Sequence, residues 1–241
     1  MVSKNQIKLI ASLQQKKYRE QYGLFFAEGY KVITELLHSD FELQTIYQTE
    51  PLFPADAYPV ENISTVELNK MSALKTANNC LAVFKMAPAV PINSSGIQVA
   101  LDDVRDPGNL GTIIRLCDWF GIPQLLCSLQ TTDLYNPKVV QATMGSLTRV
   151  KVIYTDLPNY LKASNLPVLG TFMDGQNVYE TELPKDGILV LGNEANGISK
   201  DVESFVSRRL AIPRFGVIQK TESLNVATAA AIFLSELRRS H

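Results

Sequence analysis

The sequence predicts an α/β protein with a parallel β-sheet in its C-terminal part and a smaller α/β unit before it. After residue 96, continuous apolar segments alternate with helix-like segments, which is typical of a parallel sheet covered by helices on both faces. Before that point, residues 87–96 contain Pro88, Pro91 and Gly96, which favour extended or turn structure. We therefore expect a linker here, between an N-terminal domain over 1–90 and a C-terminal domain over 96–241.

The N-terminal domain shows short periodic segments of both kinds. Apolar spacing predicts a basic helix over 3–20, and Ser64 with Glu67 forms a capping-box pattern at the start of another helix, 64–74. The remaining segments are a helix over 30–39 and strands over 23–29, 43–48 and 80–86. Together they indicate a small α/β unit with basic helices.

The C-terminal domain has the more regular alternation. The predicted strands are 97–103, 124–128, 150–154, 167–173, 187–192 and 209–213. The predicted helices are 108–121, 136–146, 156–164, 199–206 and 223–239. Ligands of such sheets bind at the carboxyl ends of the strands, so the polar residues that follow the strands are the first candidates for a site.

Composition excludes several kinds of chemistry. The chain has two histidines, His38 and His241, which makes a histidine-based catalytic site or a histidine-rich zinc site improbable, and we expect no metal. Three cysteines without C-x-x-C spacing suggest reduced thiols in the cytosol. The N-terminus lacks the apolar region of a signal peptide, and no apolar run approaches the roughly 18 residues of a membrane span. These features predict a cytoplasmic protein without a membrane segment.

The net charge of −1 does not favour nucleic-acid binding, but the charge is unevenly distributed. Residues 1–31 contain six basic residues and only two acidic ones, and residues 208–241 contain the same numbers. Such local patches can contact phosphates. The alternative is that they form the solvated faces of helices, and for the N-terminal segment the sequence does not decide between the two.

The segment Gly187–Ser199, GILVLGNEANGIS, ends an apolar strand in a polar loop. Gly192 and Gly197 have the spacing of a phosphate-binding P-loop, but the lysine of that motif is absent, and Glu194 would repel a phosphate. The loop therefore suits a polar ligand without phosphates. A strand-to-helix turn, whose glycines supply positive φ angles, explains the residues equally well.

Two further polar clusters follow predicted strands. Asn109 stands near the start of the helix over 108–121, where an asparagine is usually a cap, and Arg115 follows six residues later among apolar neighbours. Because a buried guanidinium needs a partner, we expect a carboxylate or a phosphate next to Arg115. In the last cluster, Ser223 and Asn225 open an alanine-rich helix, in which Ser223 could simply be the N-cap and Asn225 could support the same turn.

The three clusters in this order carry a resemblance. NLGTIIR, LGNEANGIS and IPRFGVIQKTESLNVATAAAIFLSELRR are similar to the three signature motifs of the SpoU/TrmH family of RNA ribose 2′-O-methyltransferases, in the SPOUT superfamily, over about 97–241. The segment SLQQKKYREQYGLFFAEG resembles the RNA-binding domain attached to many members, whose fold is like that of certain ribosomal proteins.

This resemblance implies a fold, a cofactor and an assembly. SPOUT domains have a parallel sheet whose C-terminal part forms a deep trefoil knot, bind S-adenosylmethionine there, and form homodimers with the active site across the interface. The residues that it places around the cofactor are Thr171, Gly192, Asn193, Glu194, Gly197, Ile212 and Leu224.

The resemblance also implies a catalytic group, consisting of Arg115, Asn109, Glu194, Ser223 and Asn225. Arginine stays protonated in proteins, so Arg115 is expected to hold a phosphate and the developing oxyanion rather than to act as a base. Glu194 is expected to pair with Arg115 or with Asn109. The expected substrate is RNA, with ribosomal RNA first because of the N-terminal domain.

Three other functions stay open at this point. The chain could be a transfer RNA ribose methyltransferase, or a non-catalytic RNA-binding protein with a residual cofactor pocket. It could also methylate an RNA base, although the SLN sequence at 223–225 favours ribose. The missing P-loop lysine disfavours a nucleotide hydrolase.

Overall fold

A computed structural model describes residues 2–216, 218 and 223–239. Lys220 and Glu222, whose roles the sequence leaves open, lie outside the described residues. The chain forms two compact units, one of residues 1–88 and 133–148 and the other of residues 89–132 and 149–241. The division into domains over 1–90 and 96–241 stays a prediction, and these units differ from it in the assignment of residues 133–148.

The N-terminal unit contains a four-stranded mixed sheet. Its helices are α1 (Lys4–Ser12), α2 (Lys16–Tyr22), α3 (Tyr30–Leu37) and α4 (Thr65–Met71), and its strands are β1 (Leu24–Glu28), β2 (Leu43–Gln48), β3 (Val60–Asn62) and β4 (Cys80–Lys85). The strand order is β1-β4-β2-β3, in which only β2 and β3 are parallel. Sequence patterns predict α3, α4 and the strands β1, β2 and β4, but not β3, whose three residues are too few to show a period.

Local capping explains where two of these helices begin. Ser3 and Gln6 at the start of α1, and Ser64 and Glu67 at the start of α4, form complete capping boxes. The predicted single helix over 3–20 is wrong, because the chain breaks between α1 and α2 at Leu13, whose side chain is completely buried in the core of this unit. The Arg19 side chain donates to the carbonyl oxygens of Leu13 and Gln14 at the break, which replaces helical hydrogen bonds that are lost there.

Residues 133–148 pack in the N-terminal unit although they follow two strands of the other sheet in sequence. The buried Arg19 side chain forms an ion pair with Asp133 and donates to the carbonyl oxygens of Leu13 and Gln14. The Tyr135 ring lies 4.6 Å from the Phe25 ring between centroids. These polar and aromatic contacts explain why this segment belongs to the first unit.

The C-terminal unit contains the predicted parallel sheet. Its strands are β5 (Ile97–Leu101), β6 (Gln124–Cys127), β7 (Lys151–Tyr154), β8 (Val168–Asn177), β9 (Gly187–Leu191) and β10 (Arg208–Ala211), in the order β10-β8-β9-β5-β6-β7. Every pairing among these six strands is parallel. The prediction of a parallel sheet is confirmed.

The helices of this region appear where they are predicted, with shorter bounds. They are α5 (Pro107–Trp119), α6 (Pro137–Thr143), α7 (Leu157–Ala163), α8 (Lys200–Glu203) and α9 (Val226–Arg239). The expectation that α6 covers the parallel sheet is wrong, since it belongs to the segment 133–148 of the N-terminal unit, where it packs on β1. Periodicity finds an apolar helix face but does not identify the sheet against which that face packs.

The three cysteines, Cys80, Cys117 and Cys127, are free and buried. Burial raises the pKa of Cys80 to about 11 and that of Cys117 to about 12, so both thiols are protonated at neutral pH. None of the helices in the described part of the chain has the length and apolar character that crossing a bilayer requires.

We predict that Asp133→Ala destabilises the N-terminal unit by roughly 2–3 kcal/mol, because it leaves the buried Arg19 guanidinium without its carboxylate. Urea unfolding followed by far-ultraviolet circular dichroism measures this loss. Glu20→Ala is the matched control, since it removes an exposed ion pair with Lys16 and should cost less than about 0.5 kcal/mol. Equal losses in the two variants would contradict the prediction.

Candidate active site

The loop after β9 is held in one conformation by its own hydrogen bonds. The backbones of Asn193 and Gly197 exchange two hydrogen bonds of 2.9 Å, and the Asn193 side chain accepts from the backbone N–H groups of Ala195 and Asn196. The same side chain donates to the carbonyl oxygen of Asp103 at 2.7 Å, which ties this loop to the end of β5. Asn193 therefore organises the loop from within.

The two glycines of this loop serve different purposes. Gly197 has a φ of +70°, which disfavours any side chain. Gly192 does not have a positive φ; instead, a Cβ atom there would lie 2.2 Å from the carbonyl carbon of Gly197. Close backbone packing requires the first glycine and backbone conformation requires the second, so the interpretation as a turn with positive-φ glycines is correct for Gly197 and wrong for Gly192.

Three of the expected catalytic residues meet in a direct hydrogen-bond chain. The Asn109 amide nitrogen donates to Glu194 Oε1 at 2.8 Å, and the Asn109 amide oxygen accepts from Asn225 Nδ2, also at 2.8 Å. Of the two partners left open for Glu194, the structure therefore gives Asn109. This chain links the start of α5, the loop after β9 and the start of α9.

Asn109 does not cap α5, and at the start of α9 the side chain that caps the helix is that of Asn225, which the sequence allows as a support of this turn. Asp106 caps α5 by accepting from the backbone N–H of Asn109 at 2.8 Å, which leaves the Asn109 side chain available for the hydrogen-bond chain. At the start of α9, the Asn225 side chain, rather than Ser223, accepts from the N–H groups of Ala227 and Thr228. Asn225 thus fixes the end of α9 and contacts Asn109 at the same time.

Arg115 is exposed, contrary to the expectation of a buried guanidinium. It lies on the outer face of α5 together with Gly108, Thr112 and Trp119, and the Trp119 side chain is 84% exposed. Within residues 2–216, 218 and 223–239, no carboxylate pairs with Arg115. Its apolar sequence neighbours, Ile113 and Ile114, point into the core from the opposite face of the helix.

A large pocket opens beside this hydrogen-bond chain, at the carboxyl ends of β9 and β10 and beside the middle of β8. Its volume is about 1260 Å³, and all the residues expected around a cofactor line it: Thr171, Gly192, Asn193, Glu194, Gly197, Ile212 and Leu224. Ser223 lines it as well, whereas Asn109, Arg115 and Asn225 do not. The structure therefore brings the second and third sequence clusters to one cavity, and Asn109 reaches its edge through Glu194.

Sequence reasoning missed much of the apolar wall of this pocket. The additional apolar lining residues are Phe172, Met173, Leu191, Ala195, Ile198, Pro213, Phe215, Ile218, Val226, Ala229 and Phe233. Phe172 and Met173 directly follow Thr171 at the end of the predicted strand 167–173, and that position was the available signal. The described lining residues include one basic side chain, that of Arg214, and no lysine. No cluster of metal-binding side chains occurs in the described part of the chain.

A family model for SpoU rRNA methylases matches residues 96–235, which span the parallel sheet and the pocket. The chain belongs to the SpoU rRNA methylase family. A second model, for the MRM3-like substrate binding domain, matches residues 4–82. The resemblance that the three sequence clusters carry is confirmed.

Individual relatives of this SpoU family member extend over the whole chain. It is 31% identical to the 23S rRNA (guanosine(2553)-2'-O)-methyltransferase RlmP of Bacillus subtilis, with 98% of this chain and 97% of that protein aligned. A TrmH-family structure from Porphyromonas gingivalis superposes with a TM-score of 0.90 at 37% identity over the full length of both chains. The structure of an AdoMet-bound rRNA methyltransferase from Sinorhizobium meliloti superposes with a TM-score of 0.86 at 28% identity, over 99% of this chain and 97% of that one.

We predict that Gly192→Ala disorders the loop after β9, because the added Cβ collides with the backbone at Gly197. The expected loss of stability is about 1–3 kcal/mol, as for other overpacked positions. Thermal unfolding and the hydrogen exchange of residues 192–199 measure the effect. Gly216→Ala is the control in the same pocket, since no atom lies within 4 Å of its added Cβ. Unchanged exchange in Gly192→Ala would refute the packing argument.

Proposed function

We propose that this protein is an S-adenosylmethionine-dependent methyltransferase that methylates a ribose 2′-hydroxyl group in RNA, with ribosomal RNA as the substrate. The observation that carries this proposal is the Asn109–Glu194–Asn225 hydrogen-bond chain at the edge of a pocket lined by the expected cofactor residues. RlmP, a relative that aligns with nearly the whole chain, is named for methylation of 23S rRNA.

The pocket suits S-adenosylmethionine in size and chemistry. Its volume of about 1260 Å³ exceeds that of most small-molecule sites, and it combines apolar walls with the exposed backbone of the 192–197 loop. Ile212, Leu224 and Phe233 would provide apolar surface for an adenine ring. The backbone groups of the loop that its internal hydrogen bonds do not use would contact the edge of the ring. When bound, the cofactor supplies an electrophilic methyl group on a sulfonium centre.

The chain's own residues must then align the 2′-hydroxyl group and manage its charge. Because the Asn109 amide is occupied by Glu194 and Asn225, we assign it the role of holding the two loops at the pocket edge. Ser223 offers a hydroxyl group at the pocket wall for the cofactor or the ribose. Arg115 would grip a phosphate of the RNA and stabilise the developing oxyanion, and a phosphate oxygen or water would take the proton.

This assignment requires a second copy of the chain. Arg115 does not line the pocket of its own chain, and it lies exposed on a helix face beside Trp119. We therefore propose a homodimer through the C-terminal domain, in which Arg115 of one protomer completes the pocket of its partner. In the same proposal, the C-terminal domain forms a deep trefoil knot around the pocket, and the two domains span residues 1–90 and 96–241. The protein would act in the cytoplasm, where its ribosomal RNA substrate lies.

Methylation of transfer RNA is the second candidate function, and RNA binding without catalysis is the third. The match of residues 4–82 to a substrate binding domain, next to a relative named for 23S rRNA over the whole chain, favours ribosomal RNA. The intact hydrogen-bond chain and open pocket favour catalysis over binding alone.

Transfer of a labelled methyl group tests the reaction. The protein is incubated with labelled S-adenosylmethionine and fractionated RNA from a strain that lacks its gene, and the RNA is then hydrolysed with alkali. We expect label in alkali-resistant dinucleotides of the ribosomal RNA, since a methylated 2′-hydroxyl blocks cleavage. Label only in mononucleotides would mean that the protein methylates a base. Label in transfer RNA would mean that transfer RNA, rather than ribosomal RNA, is the substrate. A protein that binds the cofactor but transfers no label would favour the non-catalytic role.

A heterodimer of two inactive variants tests the shared site. Arg115→Ala removes the side chain that is proposed to bind the RNA phosphate. Leu224→Arg places a cation in the pocket, and because Leu224 is exposed, the fold should tolerate the change. Each homodimer should be inactive, whereas the heterodimer purified with two tags should keep about half of the wild-type activity, because one of its two sites is intact. An inactive heterodimer would mean that each site forms within one chain.

A further inference from the structure

Strand β8 leaves its neighbour β10 for five residues beside the pocket. The two strands pair up to Gly170 and Arg209, and pairing resumes only at Gln176 and Leu210. Residues 171–175 thus stand opposite no residue of β10, as in a large β-bulge. Three of them line the pocket: Thr171, Phe172 and Met173. The shape of this wall therefore depends on the conformation of the bulge.

Glycines at both ends make room for the bulge without fixing it. A Cβ on Gly170 would lie 2.5 Å from the Phe172 ring, and a Cβ on Gly175 would lie 2.5 Å from the backbone carbonyl carbon of Leu210. Glycine adopts many backbone conformations, so these two positions permit the bulge but do not select one geometry. Other contacts must hold it.

The Arg209 side chain makes such contacts with two residues of the bulge. Its guanidinium carbon lies 3.5 Å from the centroid of the Phe172 ring, and its Nη2 donates to Asp174 Oδ1 at 2.6 Å. Nη1 pairs with Glu203 of α8, which anchors the guanidinium from outside the bulge. The hydrogen bond from Arg209 lowers the pKa of Asp174, so this pair remains ionised at neutral pH.

The inner side of the bulge is attached to the sheet. The Thr171 hydroxyl donates to the carbonyl oxygen of Val190 in β9 at 3.1 Å, and the Phe172 ring packs against the hydrophobic cluster that contains Val190 and Ile198. Arg209 itself does not line the pocket. Any effect of Arg209 on a ligand must therefore pass through Phe172 and the bulge.

We propose that Arg209 is a positioning residue for the pocket: by stacking on Phe172 and pairing with Asp174, it holds residues 171–175 in the conformation that forms the pocket wall. This inference rests on the proposed function, in which the pocket binds S-adenosylmethionine. It adds to that function a residue outside the three sequence clusters that controls the affinity for the cofactor.

Arg209→Ala in the full-length protein tests this role. We expect the Kd for S-adenosylhomocysteine, measured by calorimetry, to rise roughly five- to tenfold, since a cation–π contact and two partly exposed ion pairs are lost. The KM for S-adenosylmethionine should rise equally, with kcat within about twofold of wild type. In the ligand-free protein, amide hydrogen exchange of residues 171–175 should accelerate. The Kd of Arg209→Lys should lie between those of the wild type and Arg209→Ala, because lysine keeps the charge but lacks the planar group.

Arg208→Ala is the matched control. This neighbouring arginine is exposed and donates to the carbonyl oxygen of Glu182, away from the bulge, so wild-type affinity and exchange are expected. Asp174→Asn is a second variant for the case in which Arg209→Ala does not fold. Its side chain is 74% exposed, and the loss of its ion pair should raise the Kd about twofold.

Three results would overturn the proposal: wild-type affinity in Arg209→Ala, equal losses in Arg208→Ala, or unchanged exchange of residues 171–175. If the wild-type protein binds no S-adenosylhomocysteine, the proposed function fails. The exchange measurement on the ligand-free protein then still decides whether Arg209 holds the bulge.

Discussion

The side-chain amide of Asn109 joins two segments of the chain, each of which lies more than 80 residues away from Asn109 in sequence. It donates to Glu194 after β9 and accepts from Asn225 at the start of α9. Each partner is also fixed locally, since Asn193 organises the loop that carries Glu194, and Asn225 caps α9. Because both ends of the amide are used, one side chain sets the position of the loop and the helix that border the pocket.

The pocket itself is made by two departures from regular structure at the end of a regular sheet. The tight turn at Gly192–Gly197 exposes backbone groups, and the bulge at 171–175 exposes apolar side chains. The parallel strands bring both features to one edge, because their carboxyl ends lie on the same side. A site for a ligand with a polar edge and an apolar ring follows from this combination, without any histidine or metal ligand among the described residues of the pocket wall.

The sequence anticipated most of this architecture, and the reasons are local. Apolar runs predicted all six parallel strands, and the capping box at Ser64 predicted α4, because these signals depend on neighbouring residues. The resemblance also implied the residues around the cofactor, most of them in the second and third motifs, and each of these residues lines the cavity. The motifs could do so because each keeps its functional residues close together in sequence, even where the loop is long, as between β10 and α9.

Other features depend on contacts between distant residues and were decided only by the tertiary structure. At the break between α1 and α2, the carbonyl oxygens of Leu13 and Gln14 accept from the Arg19 side chain, and the same side chain pairs with Asp133 in the segment that carries α6. The bulge and its contacts with Arg209 join residues that are more than 30 positions apart. By itself, the sequence determined the strand and helix types and the chemistry of the loops, because periodicity and turn residues act locally. Which faces meet and which charges pair depends on packing in three dimensions, and no local pattern records it.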